Sequence, residues 1–338
     1  MDPLAAVPEY EGVDRTRFEA EIVPAGRPAV LRGLCADWPV VAEAKTSDAA
    51  LAAYLRARAD DRPFEAWFGP PEIGGRFGYS DDFHGFNHDR RLATIDQLLD
   101  LLLRQRGHAA PFSIYAGAVP VAKHLAAMRP DVPMPLLDES RDMLVSLWLG
   151  NRTRTAAHWD LAQNLACVVA GRRRFTLFPT GQVANLYVGP LEFTLAGQPT
   201  SLVDLEAPDF ERHPRFRDAL AHAEVAELGA GDALYLPSLW WHGVAGLDEV
   251  GAMVNFWWRD GAPPRLTPLN ALYHAIMTMQ GMPERELQAW RIFFDHYVFR
   301  ANGDPAAHLP EQARGILGRR TREGVAKLKE LLARALAG

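Results

Sequence analysis

Cysteine is scarce: Cys35 and Cys167 are the only two in 338 residues. They lie far apart and form no CxxC pair, which leaves neither a disulfide framework nor a structural zinc site. Both sit in apolar surroundings and read as core residues. No uncharged apolar run reaches the roughly 18 residues that a membrane-spanning helix needs. Met1-Asp2-Pro3-Leu4 lacks the basic start and apolar stretch of a secretory signal. Basic residues are not in excess. Lys and Arg number 36 against 42 Asp and Glu, a net charge of -6. The densest basic clusters, Arg172-Arg173-Arg174 and Arg319-Arg320, read as solvated surface, so no nucleic-acid partner is expected. A GxSxG elbow is missing, and neither cysteine has a nearby motif histidine. Gly74-Gly75 runs into Arg76-Phe77, not into the GK[ST] of a phosphate loop. These absences remove the common hydrolase and nucleotide-binding classes and point to a cytoplasmic protein without a membrane partner.

What is present is an ordinary soluble composition, 48% apolar and 23% charged, and length for one large domain or two moderate ones. Short helices are expected at 14–22 and 47–59, and a strand at 28–31. The stretch 62–90 reads as loops with short strands. Leu99, Leu102 and Leu103 recur at helical spacing and predict a helix over 92–106. From 112 to 121 the pattern turns to strand. Strand signals are densest over 143–260. The runs 164–169 and 173–178, joined by Ala170-Gly171, read as a hairpin. Further runs lie at 143–149, 233–236 and 252–258. Many antiparallel strands and turns predict a sandwich or closed barrel. Between them, 185–225 is a long insertion of the kind that forms a lid or substrate wall. Helices are expected at 269–280, 284–300 and within 309–336, with apolar faces suited to the barrel or to a second subunit.

The chemistry centres on His158-Trp159-Asp160. Side chains alternate along a strand, so His158 and Asp160 can share one face. His242, at the end of a turn, strand and loop over 231–242, is a candidate third ligand. Two imidazoles and one carboxylate hold one face of an iron(II) ion and leave the opposite positions open. By parity Arg173 shares a face with Phe175 and Leu177. If those two face the core, Arg173 does too, and a buried guanidinium calls for an anionic partner. The other reading makes it one more exposed charge. Trp257 shares parity with Asn255 and is the candidate pocket tryptophan, whereas Trp240, Trp241 and Trp258 read as packing and Trp159 should face away. His84 and His88 read as surface-loop residues, with a substrate entrance as the other possibility. His274 and His296 read as structural.

His158-Trp159-Asp160, Gly171 with its following cation, Phe178-Pro179 and the distal His242 together resemble the Jumonji-C, cupin-like oxygenases. Within them the chain is similar to the asparaginyl hydroxylase of hypoxia-inducible factor and its bacterial relatives. The resemblance spans about residues 15–262 and is tightest over 143–180 and 228–260. It implies a double-stranded β-helix (the jelly roll of cupins), mainly β with flanking helices, as a catalytic domain over 1–262 with N-terminal helical elements. A C-terminal helical region, 263–338, would then form a homodimer. It further implies an iron(II)-, 2-oxoglutarate- and O2-dependent hydroxylase that yields succinate and CO2. His158, Asp160 and His242 would be the metal ligands. Thr155, three residues before the first ligand, Tyr115 and Arg173 would anchor the far carboxylate of 2-oxoglutarate. Asn164 and Asn255 would donate hydrogen bonds near its C1 carboxylate. The family's usual basic residue on this element is lysine. Arginine can still grip a carboxylate, but pocket depth changes, so a different 2-oxo acid stays open. The substrate would be a protein or peptide side chain or a small molecule. Two rivals stay open as well: a non-catalytic metal-binding module of the same fold, and a metal enzyme that uses no 2-oxoglutarate.

Overall fold

Alternation of side chains builds the first part of this molecule. In the strand Gln163–Ala170, Ala166 and Val168 join one apolar cluster, while Leu165, Cys167 and Val169 join another; all five are fully buried. A strand buried on both faces needs two covering layers. One is a second sheet. The other is formed by helices Pro39–Thr46, Asp48–Arg56 and Ile95–Gln105, whose Val40, Val41, Leu51, Leu55, Ile95, Leu98, Leu99 and Leu102 pack beneath it.

The computed structural model describes residues 4–260, 267–319 and 321–337. The chain separates into two compact units, Met1–Pro263 and Pro264–Gly338. The expected domain boundary at 262/263 falls outside the described residues. In the first unit eight strands pass between two sheets. Ala233–Leu236, Gln163–Ala170, Gly251–Trp258 and Met143–Gly150 lie side by side in a nine-stranded sheet. Glu224–Leu228, Arg173–Phe178, Trp241–Gly246 and Arg154–His158 lie side by side in a six-stranded one. Neighbours within these two sets of four are antiparallel. This is the jelly-roll, double-stranded β-helix expected from the sequence. Phe175, Leu177, Leu228, Leu234 and Met253 fill the space between the sheets.

One local expectation needs correction and two are refined. The runs 164–169 and 173–178 do not form a hairpin. Gln163–Ala170 pairs with Ala233–Leu236 and Gly251–Trp258, while Arg173–Phe178 pairs with Glu224–Leu228 and Trp241–Gly246. A short turn between two apolar runs looks the same in sequence whether it folds back or crosses between sheets. Here Gly171, at φ +64°, turns the corner. Second, the 62–90 stretch contains a six-residue strand, Phe64–Gly69, paired on both sides. Third, the helix expected over 92–106 starts at Ile95, because Thr94 and Gln97 form a reciprocal capping box. The residues before it form the strand Asp89–Ala93.

The second unit contains helices Pro268–Met279, Glu284–Tyr297 and Arg322–Ala337, with short 3-10 turns at Glu311–Ala313 and Gly315–Leu317. Among the described residues no helix is long and apolar enough to cross a membrane.

The corner makes a stability prediction. A Cβ on Gly171 would meet the Val250 carbonyl oxygen at 2.8 Å, whereas one on Gly107, also at positive φ, meets nothing within 4 Å. Gly107→Ala should therefore cost only the backbone strain of about 1 kcal/mol. Gly171→Ala should cost clearly more, about 2–3 kcal/mol, since backbone must move as well. Urea denaturation midpoints would show the order; equal losses would contradict it.

Candidate metal centre and co-substrate cavity

Two strands of the smaller sheet bring the imidazoles together. His158 ends Arg154–His158, His242 lies near the start of Trp241–Gly246, and the two are register partners. Their ring centroids are 4.3 Å apart. The sequence placed His242 on a loop; it has a strand of its own, which short Trp-rich composition did not announce. Each ring is fixed the same way. His158 Nδ1 meets the Ala156 carbonyl oxygen at 2.9 Å, and His242 Nδ1 meets that of Trp240 at 3.0 Å. A carbonyl can only accept, so each Nδ1 carries the proton and each Nε2 keeps a free lone pair. Burial first, then the neighbouring His242, holds His158 down to about 4. It is neutral at ordinary pH, as a metal ligand would need to be.

Asp160 lies just beyond the end of the strand that carries His158, so strict strand alternation does not reach it. A backbone tie does the positioning. The Leu239 N–H donates to the Asp160 carbonyl oxygen at 2.8 Å, joining the two ligand-bearing segments. Burial raises the pKa of the Asp160 carboxyl, but contact with the His242 and then the His158 imidazole, in their protonated forms, outweighs it and shifts the group below the usual carboxylate range. Its Oδ2 is 3.6 Å from His242 Nε2. One donor atom from each of the three residues falls within 4.8 Å of the others. Two neutral nitrogens and one carboxylate suit a divalent first-row metal such as iron.

All nine candidate site residues line one cavity: His158, Asp160, His242, Arg173, Thr155, Tyr115, Asn164, Asn255 and Trp257. Arg173 points inward with Phe175 and Leu177, and only 5% of it is exposed. Its Nε has no hydrogen-bond partner, and burial pushes its pKa down, with Tyr115 opposing. Burial likewise pushes the Tyr115 phenol up. Asn164 Oδ1 and Asn255 Nδ2 are also buried without partners. Thr155 Oγ1 donates to the Val244 carbonyl at 3.3 Å. Orphaned buried polar groups are costly. A guanidinium without an anion, beside the unsatisfied Asn255 NH2, fits an acid that binds there.

Outside this inner cavity lies a chamber of about 430 Å³. Trp67, Phe77, Tyr115, Trp148 and Trp257 make it aromatic, and His158 and Asp160 reach its floor. The 185–225 insertion supplies a wall through Leu195, Gln198 and Thr200. That wall is held from the earlier stretch: Tyr79 Oη donates to the Phe193 carbonyl at 2.6 Å, Arg90 donates to that of Leu195, and Phe86 stacks on Phe193 at 4.9 Å. His84 is exposed, but His88 is not on a surface loop. It is buried, stacked on Trp67 at 4.7 Å, and burial lowers its pKa to about 4. Apolar neighbours distant in sequence cover it. Trp241 and Trp258 are packing residues, and Trp159 turns away from the metal ligands to meet Trp241.

Sequence reasoning missed Trp148, Thr153 and Met253 in the inner cavity, and Trp67, Arg90 and Gln198 outside it. Alternation along Met143–Gly150 could have marked Trp148, but only with the register to Gly251–Trp258 in hand.

The cupin-like domain family profile matches residues 15–262. Among curated proteins, the chain is 27% identical over 266 residues to "Lysine-specific demethylase JMJ31" of Arabidopsis thaliana, covering 72% of this chain and 48% of that one. It is 25% identical to "Lysine-specific demethylase 8" of Xenopus tropicalis, covering 76% and 54%. With "tRNA wybutosine-synthesizing protein 5" of Gallus gallus the identity is 26%, covering 76% and 78%. The chain thus spans about half the length of the first two. With the jelly roll, the His-Asp-His cluster and a match over most of its length, the chain belongs to the cupin-like, Jumonji-C-type family.

Proposed function

We propose that the protein is an iron(II)- and 2-oxoglutarate-dependent oxygenase that hydroxylates a protein or peptide side chain or a small molecule. His158, Asp160 and His242 would hold the iron. Arg173, with Thr155 and Tyr115, would take the far carboxylate of 2-oxoglutarate, and Asn164 and Asn255 would meet its metal-proximal end. When bound, the metal and co-acid supply the activation of O2, coupled to decarboxylation of 2-oxoglutarate to succinate. The protein's own part is positioning and shielding. The carbonyls of Ala156 and Trp240 keep both Nε2 lone pairs aimed at the metal position. Asp160 contributes one negative charge, so a divalent ion there keeps net positive charge to attract an anionic co-acid. The aromatic walls of the chamber would limit water at the reacting carbon once a substrate fills it.

One observation carries this reading: a buried arginine without an acidic partner in the cavity that holds the three ligands. A metal module without a co-acid would have no use for it. The names of the relatives support a substrate presented on a macromolecule, and a protein or peptide side chain is our preferred class. We also propose that the 263–338 helices mediate homodimerisation. Met277, Ile292 and Phe293 are exposed there, and light scattering should give twice the chain mass.

Anaerobic titration with iron(II) tests the centre. A visible charge-transfer band should appear only when 2-oxoglutarate is added; iron binding with no band would favour either rival. Asp160→Ala should abolish stoichiometric iron binding. Arg173→Ala should bind iron normally but raise the 2-oxoglutarate dissociation constant by about 10-fold or more, the scale of a lost charge-assisted contact. Arg173→Lys should recover much of that loss. Unchanged co-acid affinity in Arg173→Ala would remove the anchoring role.

A further inference from the structure

Asn255 sits within the strand Gly251–Trp258 and is wholly buried. A carboxamide has an accepting end and a donating end, and the end that faces a cavity decides what it can bind. In this protein a tryptophan makes that choice. The Trp148 indole Nε1–H donates to Asn255 Oδ1 at 2.6 Å. An indole N–H can only donate, so it selects the oxygen end and holds it. The Asn255 Nδ2 group is left buried and without an acceptor, in the cavity lined by His158 and Arg173. Trp148 is itself fixed. It is the register partner of Met253, meets Trp257 edge-on at 5.7 Å and lies 6.0 Å from Tyr115. Its hydrogen bond is therefore made by a ring with little freedom to leave.

We infer that Trp148 is a positioning residue: it locks the Asn255 amide with its NH2 inward, so that this group donates to the carboxylate of the bound 2-oxo acid. The inference rests on the proposed co-acid site and adds to it. Asn255 in an Asn-Phe-Trp run does not reveal which amide end faces inward; the indole settles that. The two cavity amides are then not equivalent. Asn255 presents nitrogen, whereas the unpartnered atom of Asn164 is oxygen. Asn255 donates to the co-acid through Nδ2; a 2-oxo acid anion has no hydrogen to offer the Asn164 oxygen, so any contact from Asn164 would come from its own NH2.

A double-mutant cycle on co-acid affinity tests this, read from the charge-transfer band with 2-oxoglutarate as the probe. Trp148→Phe keeps an aromatic ring and removes the N–H. It should raise the dissociation constant about 3- to 10-fold, the usual worth of one hydrogen bond. Asn255→Ala should raise it at least as much, and the double variant should equal Asn255→Ala alone. Iron(II) affinity without co-acid should stay at the wild-type level in both single variants. Unchanged co-acid affinity in Trp148→Phe, effects that add independently, or a matching loss of bare iron affinity would each overturn the role. A wild-type protein that binds iron but gives no band would sink the co-acid site instead. A second readout needs no variant and no ligand. In 1H–15N spectra of the wild-type protein, the Trp148 indole proton should be shifted downfield and exchange slowly. The Trp257 indole, whose Nε1 has no partner, is the internal reference. If the Trp148 indole proton is not shifted downfield of the Trp257 one, the bond to Asn255 is not formed and the inference falls.

Discussion

Two carbonyl-to-imidazole hydrogen bonds govern the centre. Each candidate ligand histidine donates from Nδ1 to the carbonyl two residues earlier in its own chain segment. The tie fixes the tautomer and the ring direction together. Because the histidines are register partners on adjacent strands, their relative placement is set by the sheet ladder, and sheet ladders are stiff. Asp160 is different. It has left the strand, and its placement comes from the Leu239 N–H on its backbone. Leu239 has a positive φ of 66°. That sparsely populated conformation needs a surrounding structure that enforces it. A strained turn beside a ligand is consistent with a site whose geometry has priority over local comfort.

Burial without compensation is the second theme. Arg173, Asn164 and Asn255 all carry buried polar atoms that no group among the described residues satisfies. Such groups would ordinarily destabilise a fold by kilocalories each. The barrel tolerates them because apolar packing on both faces of the large sheet is extensive. Binding of the proposed co-acid would relieve the deficit at Arg173 and Asn255, which links cavity occupancy to stability.

Much of this was legible beforehand, and the gaps have physical causes. Parity puts Arg173, Asn255 and Trp257 on the side of their strands that lines the cavity, because each belongs to a regular strand, where period two holds. It was less secure for Asp160, which lies past a strand end. The Gly171 corner was misread because a crossover between sheets and a tight hairpin share one sequence signature. The strand that carries His242 was overlooked because Pro237-Ser238-Leu239-Trp240 masks its start. His88 was assigned to a loop since its burial depends on Trp67 and Phe77, which local sequence cannot bring near. Long-range register, absent from any single segment, was the missing information in most of these cases.

The inner cavity is built almost wholly on strands, whereas the outer wall comes from an insertion held by the side chains of Tyr79, Phe86 and Arg90. The two layers therefore answer to different constraints. Changes in the wall can reshape what reaches the metal while leaving the sheet ladder untouched, and loops tolerate such change far better than paired strands do. On the proposed function, reaction type and target choice would be set by separate parts of this architecture. A relative with the same interior and a different wall would be expected to run the same oxidation on an unrelated molecule.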